Sequence, residues 1–153
     1  MIERREITRD TVDAILRLKV RDDQPGMVAP NSVTLAQVAY EQPGSYVWGL
    51  WNGDTPVGLI AMINPNEYPW PEDGDDTGAA YVWRLMIDGD HQGKGFGRAA
   101  IDQAIDITKS WNLPRLCLTA VEKDGSAIPF YEHLGFSRTG RIVDGEVELI
   151  RTL

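Results

Sequence analysis

At 153 residues, with 42% hydrophobic and 25% charged side chains and its Gly and Pro scattered, the chain has the size and composition of one globular domain and not of a disordered segment. Fifteen basic against 23 acidic residues leave a net charge of -8, a field that opposes nucleic acid and anionic membrane and suits a small cationic partner. No apolar run of about 18 residues offers a membrane span, and the single Cys117 excludes an internal disulfide.

The start, Met1 to Asp10, is charged where a signal peptide needs an apolar stretch, so a cytoplasmic location is expected. Glu3 to Ile7 reads as a short strand. Thr11 to Val20 carries Val12, Ile15, Leu16 and Leu18 near helical spacing, with Asp10 or Thr11 placed to cap. Pro25, Gly26 and Pro30 make Asp22 to Ser32 a loop, after which Thr34 to Glu41 puts Leu35, Val38 and Ala39 on one side of a second helix. Tyr46 to Trp51 and Pro56 to Ile63 are apolar strands whose hairpin is expected to turn at Asn52-Gly53.

From Asn64 to Gly78 no periodicity survives. Five acids stand there with three prolines and no basic residue, which predicts a long solvated surface loop. Ala79 to Asp88 resumes as strand. Gly97 to Trp111 places Ala100, Ile101, Ala104, Ile105 and Thr108 in the stripe of a helix packed on a sheet, ended by Asn112 and Pro114. Leu116 to Val121 is a near-continuous apolar strand and Ala127 to Leu134 a short helix. Phe136 to Val143 and Glu146 to Thr152 form a last hairpin, turned by Asp144-Gly145.

Between the strand ending at Asp88 and the helix beginning at Gly97 lies Gly89-Asp90-His91-Gln92-Gly93-Lys94-Gly95-Phe96. The free N–H groups of a helix's first turn point toward any anion there. Gly93, Gly95 and Gly97 remove side chains that would block close approach, and Lys94 and Arg98 add positive charge to an acidic protein. A phosphate cradle is one reading and a plain tight turn the other. The Walker loop is excluded by the spacing of its glycines and the lack of Ser or Thr after Lys94. The dinucleotide fingerprint is excluded by Arg98 where its third glycine belongs.

Gln92-Gly93-Lys94-Gly95-Phe96-Gly97 resembles the Q/R-x-x-G-x-G/A signature of the GCN5-related N-acetyltransferases (GNAT family). Ala127-Ile128-Pro129-Phe130-Tyr131 followed by Gly135-Phe136 resembles that family's A-x-x-x-Y-x-x-x-G-F segment. Within the family the likeness extends to bacterial spermine/spermidine acetyltransferases, which share the Ile87-Asp88 pair, the Gln-Gly-Lys-Gly run and an ending like Asp144-Gly145-Glu146. The resemblance implies an α/β (α+β) GNAT fold, a mixed, mostly antiparallel sheet of six to seven strands flanked by about four helices, over residues 1–153 as a single acetyltransferase domain. It also implies acetyl-CoA as co-substrate, no metal, and transfer to a primary amine of a small molecule, possible in a homodimer. A protein or peptide acceptor, or a non-catalytic acyl-CoA-binding module, are the alternatives.

By the same resemblance, Leu85, Met86 and Ile87 pair with the pantetheine arm, and Gln92, Gly93, Lys94, Gly95, Phe96, Gly97 and Arg98 hold the pyrophosphate. Tyr131 is then the general acid for the departing thiolate. Asp124, counted with these cofactor-binding residues, stands where the family often has Asn and can cap the following helix. Met27, Trp83 and Glu67 are the candidates for contact with the amine. Ala29 and Trp83 occupy positions where polyamine relatives carry acids. Glu41, Glu67 and His91 are candidate bases. His91 and His133 have no matching Cys or acid spacing for a metal, and Cys117 reads as a small buried hydrophobe.

Overall fold

Among the described residues seven runs become strands of one sheet, five of them carrying several β-branched or aromatic residues. They are β1 (Glu3–Glu6), β2 (Ser45–Asn52), β3 (Thr55–Ile63), β4 (Ala79–Ile87), β5 (Arg115–Ala120), β6 (Ser137–Val143) and β7 (Glu146–Thr152), in the order β1-β2-β3-β4-β5-β7-β6. Every neighbour is antiparallel except the pair β4 and β5. This computed structural model describes residues 1–24 and 26–153; Pro25, part of the expected 22–32 loop, lies outside the described residues. No helix among the described residues is long and apolar enough to cross a membrane.

Four helices cover the sheet: α1 (Val12–Leu16), α2 (Asn31–Val38), α3 (Phe96–Ser110) and α4 (Ile128–His133). The predicted stripe of α3, Ala100, Ile101, Ala104, Ile105 and Thr108, is buried against Ile60, Met62, Val82, Leu116, Leu118 and Leu149, and α4 adds Ile128 to the same cluster. A second cluster of Ile15, Trp51, Leu59 and Met86 lies beneath α1 and α2. Burial of this kind contributes about 25 cal/mol per Å² of apolar surface.

Three boundaries differ from expectation, each for a local reason. Helix α1 stops at Leu16 because the backbone beyond it is engaged elsewhere: Lys19 N donates to Asp88 Oδ1 (3.0 Å), and Lys19 O accepts from Gly89 N (2.8 Å). Thr11 sits at the N-cap but does not cap; its Oγ1 accepts from Thr8 N instead. Helix α2 begins three residues early, directly after Pro30, whose extended conformation (φ -55, ψ 148) fits the position before a helix. Its inner face is Asn31, Thr34, Leu35 and Val38, while Ala39 is exposed. The β2–β3 hairpin turns at Gly53-Asp54, one residue later than expected, since Asn52 still pairs with Thr55 and Gly53 alone takes positive φ (60°). The last hairpin turns at Asp144-Gly145, both with φ above zero, as expected.

The acidic segment 64–78 is not a free excursion. Arg115 grips Asp76 with two hydrogen bonds (2.6 and 2.8 Å), Arg141 holds Asp75 Oδ1 (2.8 Å) and Asp73 O (3.1 Å), and Tyr46 OH donates to Glu67 (2.6 Å). Its acids serve as internal ties for a segment whose own backbone forms no ladder.

Strands β4 and β5 pair over only four registers, from Ala79↔Arg115 to Val82↔Leu118. Beyond that, β4 runs on to Ile87 and β5 to Ala120 without pairing. A bulge begins at the point of divergence: Val82 pairs with Met62 and Arg84 with Ala61, leaving Trp83 over. The parting of the two strands opens the sheet where the glycine loop leaves it.

Candidate active site

The parted strands bound a cleft of about 800 Å³. Its β4 wall carries Trp83, Arg84, Leu85 and Met86; its opposite wall carries Thr119, Ala120, Tyr131 and Glu146. The segments around Leu16–Val20 and Gly26–Ser32 close a third side, and Gln92 stands at one end. Of the residues singled out from sequence, Met27, Trp83, Leu85, Met86, Gln92 and Tyr131 line this space.

Residues 92–95 form the turn between the 3-10 turn Gly89–His91 and α3, whose first residues are Phe96, Gly97 and Arg98. Gly93 (φ 75°) and Gly95 (φ 83°) hold conformations that L side chains rarely adopt. A Cβ added at either would meet nothing within 4 Å, so the space before them is open. Gly95 is the N-cap of α3, so no side chain caps the helix, and no acid stands in the first turn. Its first N–H groups and its positive dipole end face outward beside exposed Lys94 and Arg98. Gly97 is the tightest point, since a Cβ there would meet Phe130 at 3.3 Å.

Asp88 and Gln92 fix this turn from below. Asp88 accepts from Lys19 N (3.0 Å), Asp90 N (3.3 Å) and His91 Nδ1 (3.0 Å). Gln92 Nε2 donates to Ile87 O (3.0 Å) and to Gln24 Oε1 (2.9 Å), tying the loop both to the end of β4 and to the α1–α2 segment. The Gln92 amide nitrogen is thus engaged within the protein, which leaves the backbone amides as the turn's outward donors.

Tyr131 comes from α4, where Pro129 stands near the start and the ring packs between Phe130 (5.3 Å) and Phe136 (5.9 Å). Burial first, and then the negative charge of Glu146, push its phenol up to about 12, so it carries its proton throughout the neutral range. Asp124, by contrast, is exposed and lies outside the cleft lining. The N-cap of α4 is Ala127, and just before it Ser126 Oγ accepts from Ile128 N (3.1 Å) and donates to Val121 O (2.6 Å). Glu67 and Glu41 are occupied by Tyr46 and Tyr68 away from the cleft, and His91 leans on Phe96 at the loop (6.4 Å). Cys117 is buried in a separate pocket of about 170 Å³, its thiol pushed up by burial and by Glu148.

Sequence reasoning missed two features. Trp83 and Arg84 each bury a nitrogen, Nε1 and Nε, without a hydrogen-bond partner among the described residues, and the guanidinium lies 5.2 Å above the indole. Glu146 is the other: it faces the cleft, with Oε2 accepting from Thr119 Oγ1 at 2.6 Å. Its only trace in the sequence is the Asp144-Gly145-Glu146 ending, which reads first as a turn.

Comparison with known proteins agrees with this geometry. The model of the acetyltransferase (GNAT) family matches residues 13–136. The spermine/spermidine N(1)-acetyltransferase of Bacillus subtilis (strain 168) is 28% identical, the alignment covering 96% of this chain and 95% of that protein. Among solved structures, the PaiA N-acetyltransferase from Thermoplasma acidophilum in complex with coenzyme A superposes with a TM-score of 0.71 at 14% identity, over 100% of this chain and 99% of that one. A Bacillus subtilis acetyltransferase in complex with coenzyme A gives 0.68 at 16% identity, over 99% and 97%.

Proposed function

The chain belongs to the acetyltransferase (GNAT) family, and from that premise we propose that residues 1–153 act as one catalytic domain that uses acetyl-CoA to acetylate a primary amine of a small molecule. The observation that carries this reading is a cleft between parted strands that a protonated tyrosine lines, with Gln92 in its lining leading directly into an uncapped helix N-terminus.

The residues present fit coenzyme A. Open space before Gly93 and Gly95, an acid-free first turn and two flanking cations suit a pyrophosphate. Charge-assisted hydrogen bonds are worth about 1.5–3 kcal/mol each, enough for four or five of them to offset much of an association cost of about 4–15 kcal/mol. The free edge of β4 at Leu85, Met86 and Ile87 offers backbone groups to an amide-bearing arm, as an added strand would take them.

Bound acetyl-CoA supplies a thioester carbonyl open to attack by an amine. Beside it, the unpaired stretch of β4 presents N–H groups that can stabilise developing negative charge on the carbonyl oxygen. Tyr131 holds the proton at its Oη and offers it as a hydrogen bond to the departing sulfur. Met27 and Trp83 also line the cleft, where they can contact the acceptor. The B. subtilis relative is named for spermine and spermidine, and this similarity favours a polyamine-like acceptor.

Acetyl-CoA consumption over a panel of amines, peptides and aminoglycosides tests the reading. Tyr131→Phe is expected to lower turnover by about 10²-fold or more while coenzyme A affinity stays within about twofold. Unchanged turnover removes Tyr131 from the reaction, and no turnover with any acceptor favours a coenzyme A-binding module.

A further inference from the structure

The cleft divides its charge between its walls. Arg84 stands on β4, and Arg17 and Lys19 on the segment after α1, whereas Glu146 on the opposite wall is the only carboxylate among the described residues that line it. In a protein of net charge -8 whose cleft holds three cations, a lone inward carboxylate is not accounted for by general surface acidity.

Nor does any cation form a salt bridge with Glu146 among the described residues. Its recorded partner is a hydroxyl: Thr119 Oγ1 lies 2.6 Å from Oε2, and Tyr81 OH lies 3.1 Å from the same Oγ1. These three residues stand on adjacent strands β4, β5 and β7, and Tyr81 is held by burial in the sheet. The chain orders one carboxylate oxygen without cancelling its charge. By contrast, Glu148, two residues along the same strand, is paired with Arg141 at 3.1 Å. Like Tyr131, Glu146 faces the cleft from the wall opposite β4.

The geometry points to Glu146 as the residue that binds the acceptor's ammonium group, with Thr119 and Tyr81 as the positioning residues that aim its carboxylate into the cleft. This deepens the acetyl-transfer reading and rests on it. It names the acceptor class as an amine carrying positive charge, drawn to the wall across from the cations that suit a phosphorylated cofactor.

Steady-state kinetics on the full chain tests the assignment. Wild-type turnover of acetyl-CoA is measured first with spermine and a panel of other primary amines. No turnover with any of them overturns the transferase reading, and this assignment with it. Given turnover, Glu146→Gln keeps the size and removes the charge. It is expected to raise KM for the amine by about tenfold or more, with KM for acetyl-CoA within about twofold. An amine KM unchanged in Glu146→Gln overturns the assignment and leaves the transferase reading intact. Thr119→Val is expected to raise the amine KM severalfold and Thr119→Ser to restore it; a Thr119→Val variant equal to wild type removes the positioning role. Should Glu146→Gln fail to fold, the wild-type amine KM at saturating acetyl-CoA decides: a rise with ionic strength supports the charge pairing, and indifference to salt overturns it.

Discussion

In the proposed transfer Tyr131 is the acid, and its environment sets the form in which it would act. A phenol in water ionises near pH 10; here burial and the charge of Glu146 hold the proton to about 12. Since the folded value is raised, the protonated form persists through neutral pH and is lost only as pH climbs through that higher value. An ultraviolet titration of Tyr131, read as the difference between wild type and Tyr131→Phe, is therefore expected to show ionisation well above pH 10. Glu146→Gln is expected to bring that titration down, because the negative charge that opposes phenolate is gone. At this scale the sequence was uneven. Tyr131 was legible because its spacing to Gly135-Phe136 is a motif, and the glycines because their spacing is one. Glu146 was not, since a glutamate after Asp-Gly looks like any hairpin residue until strand order places it beside Thr119.

Among the elements, α3 combines both roles of a helix. Its middle is a core stripe, and its start, the proposed pyrophosphate site, has amides that no side chain caps. Reversing the flanking charge with Lys94→Glu and Arg98→Glu is expected to weaken coenzyme A binding by more than about tenfold, measured by titration calorimetry. An affinity within tenfold would mean that backbone amides alone carry the interaction. The acidic loop makes a different use of charge. The Arg115 hydrogen bonds hold the Asp76 carboxyl below its ordinary value. Because that folded value is depressed, the pair stabilises the protein fully above about pH 4 and loses its contribution as pH falls through the lower, folded value. The pair is partly exposed, so Asp76→Asn is expected to cost only about 0.5–1 kcal/mol in denaturant unfolding at neutral pH, and the gap to wild type closes in acid. Strong periodicity made α3 and β5 readable to within a residue. The α1–α2 segment was harder, because its limits are set by bonds to Asp88 and Gly89, which lie about seventy positions away in sequence and leave no local trace. The ties of the acidic loop are hidden for the same reason: Arg115 and Arg141 stand far along the chain from the acids they hold.

On the scale of the whole molecule, strand content and the position of the glycine turn were readable in advance. The insertion of β7 between β5 and β6 was not, because residue patterns fix which face a strand buries and not its neighbour. Nor does any pattern announce that β4 and β5 part after four pairs. Beyond Val82, one edge of the central strand has backbone donors and acceptors with no strand beside them. In the proposed complex, coenzyme A seated there would act as a guest strand, supplying ladder bonds that the chain itself omits. Amide hydrogen exchange on adding coenzyme A should slow across residues 83–87 and remain nearly unchanged across 79–82, where the seam is already closed. The stiffness of this sheet is then a property shared between polypeptide and cargo, complete only while the enzyme is loaded.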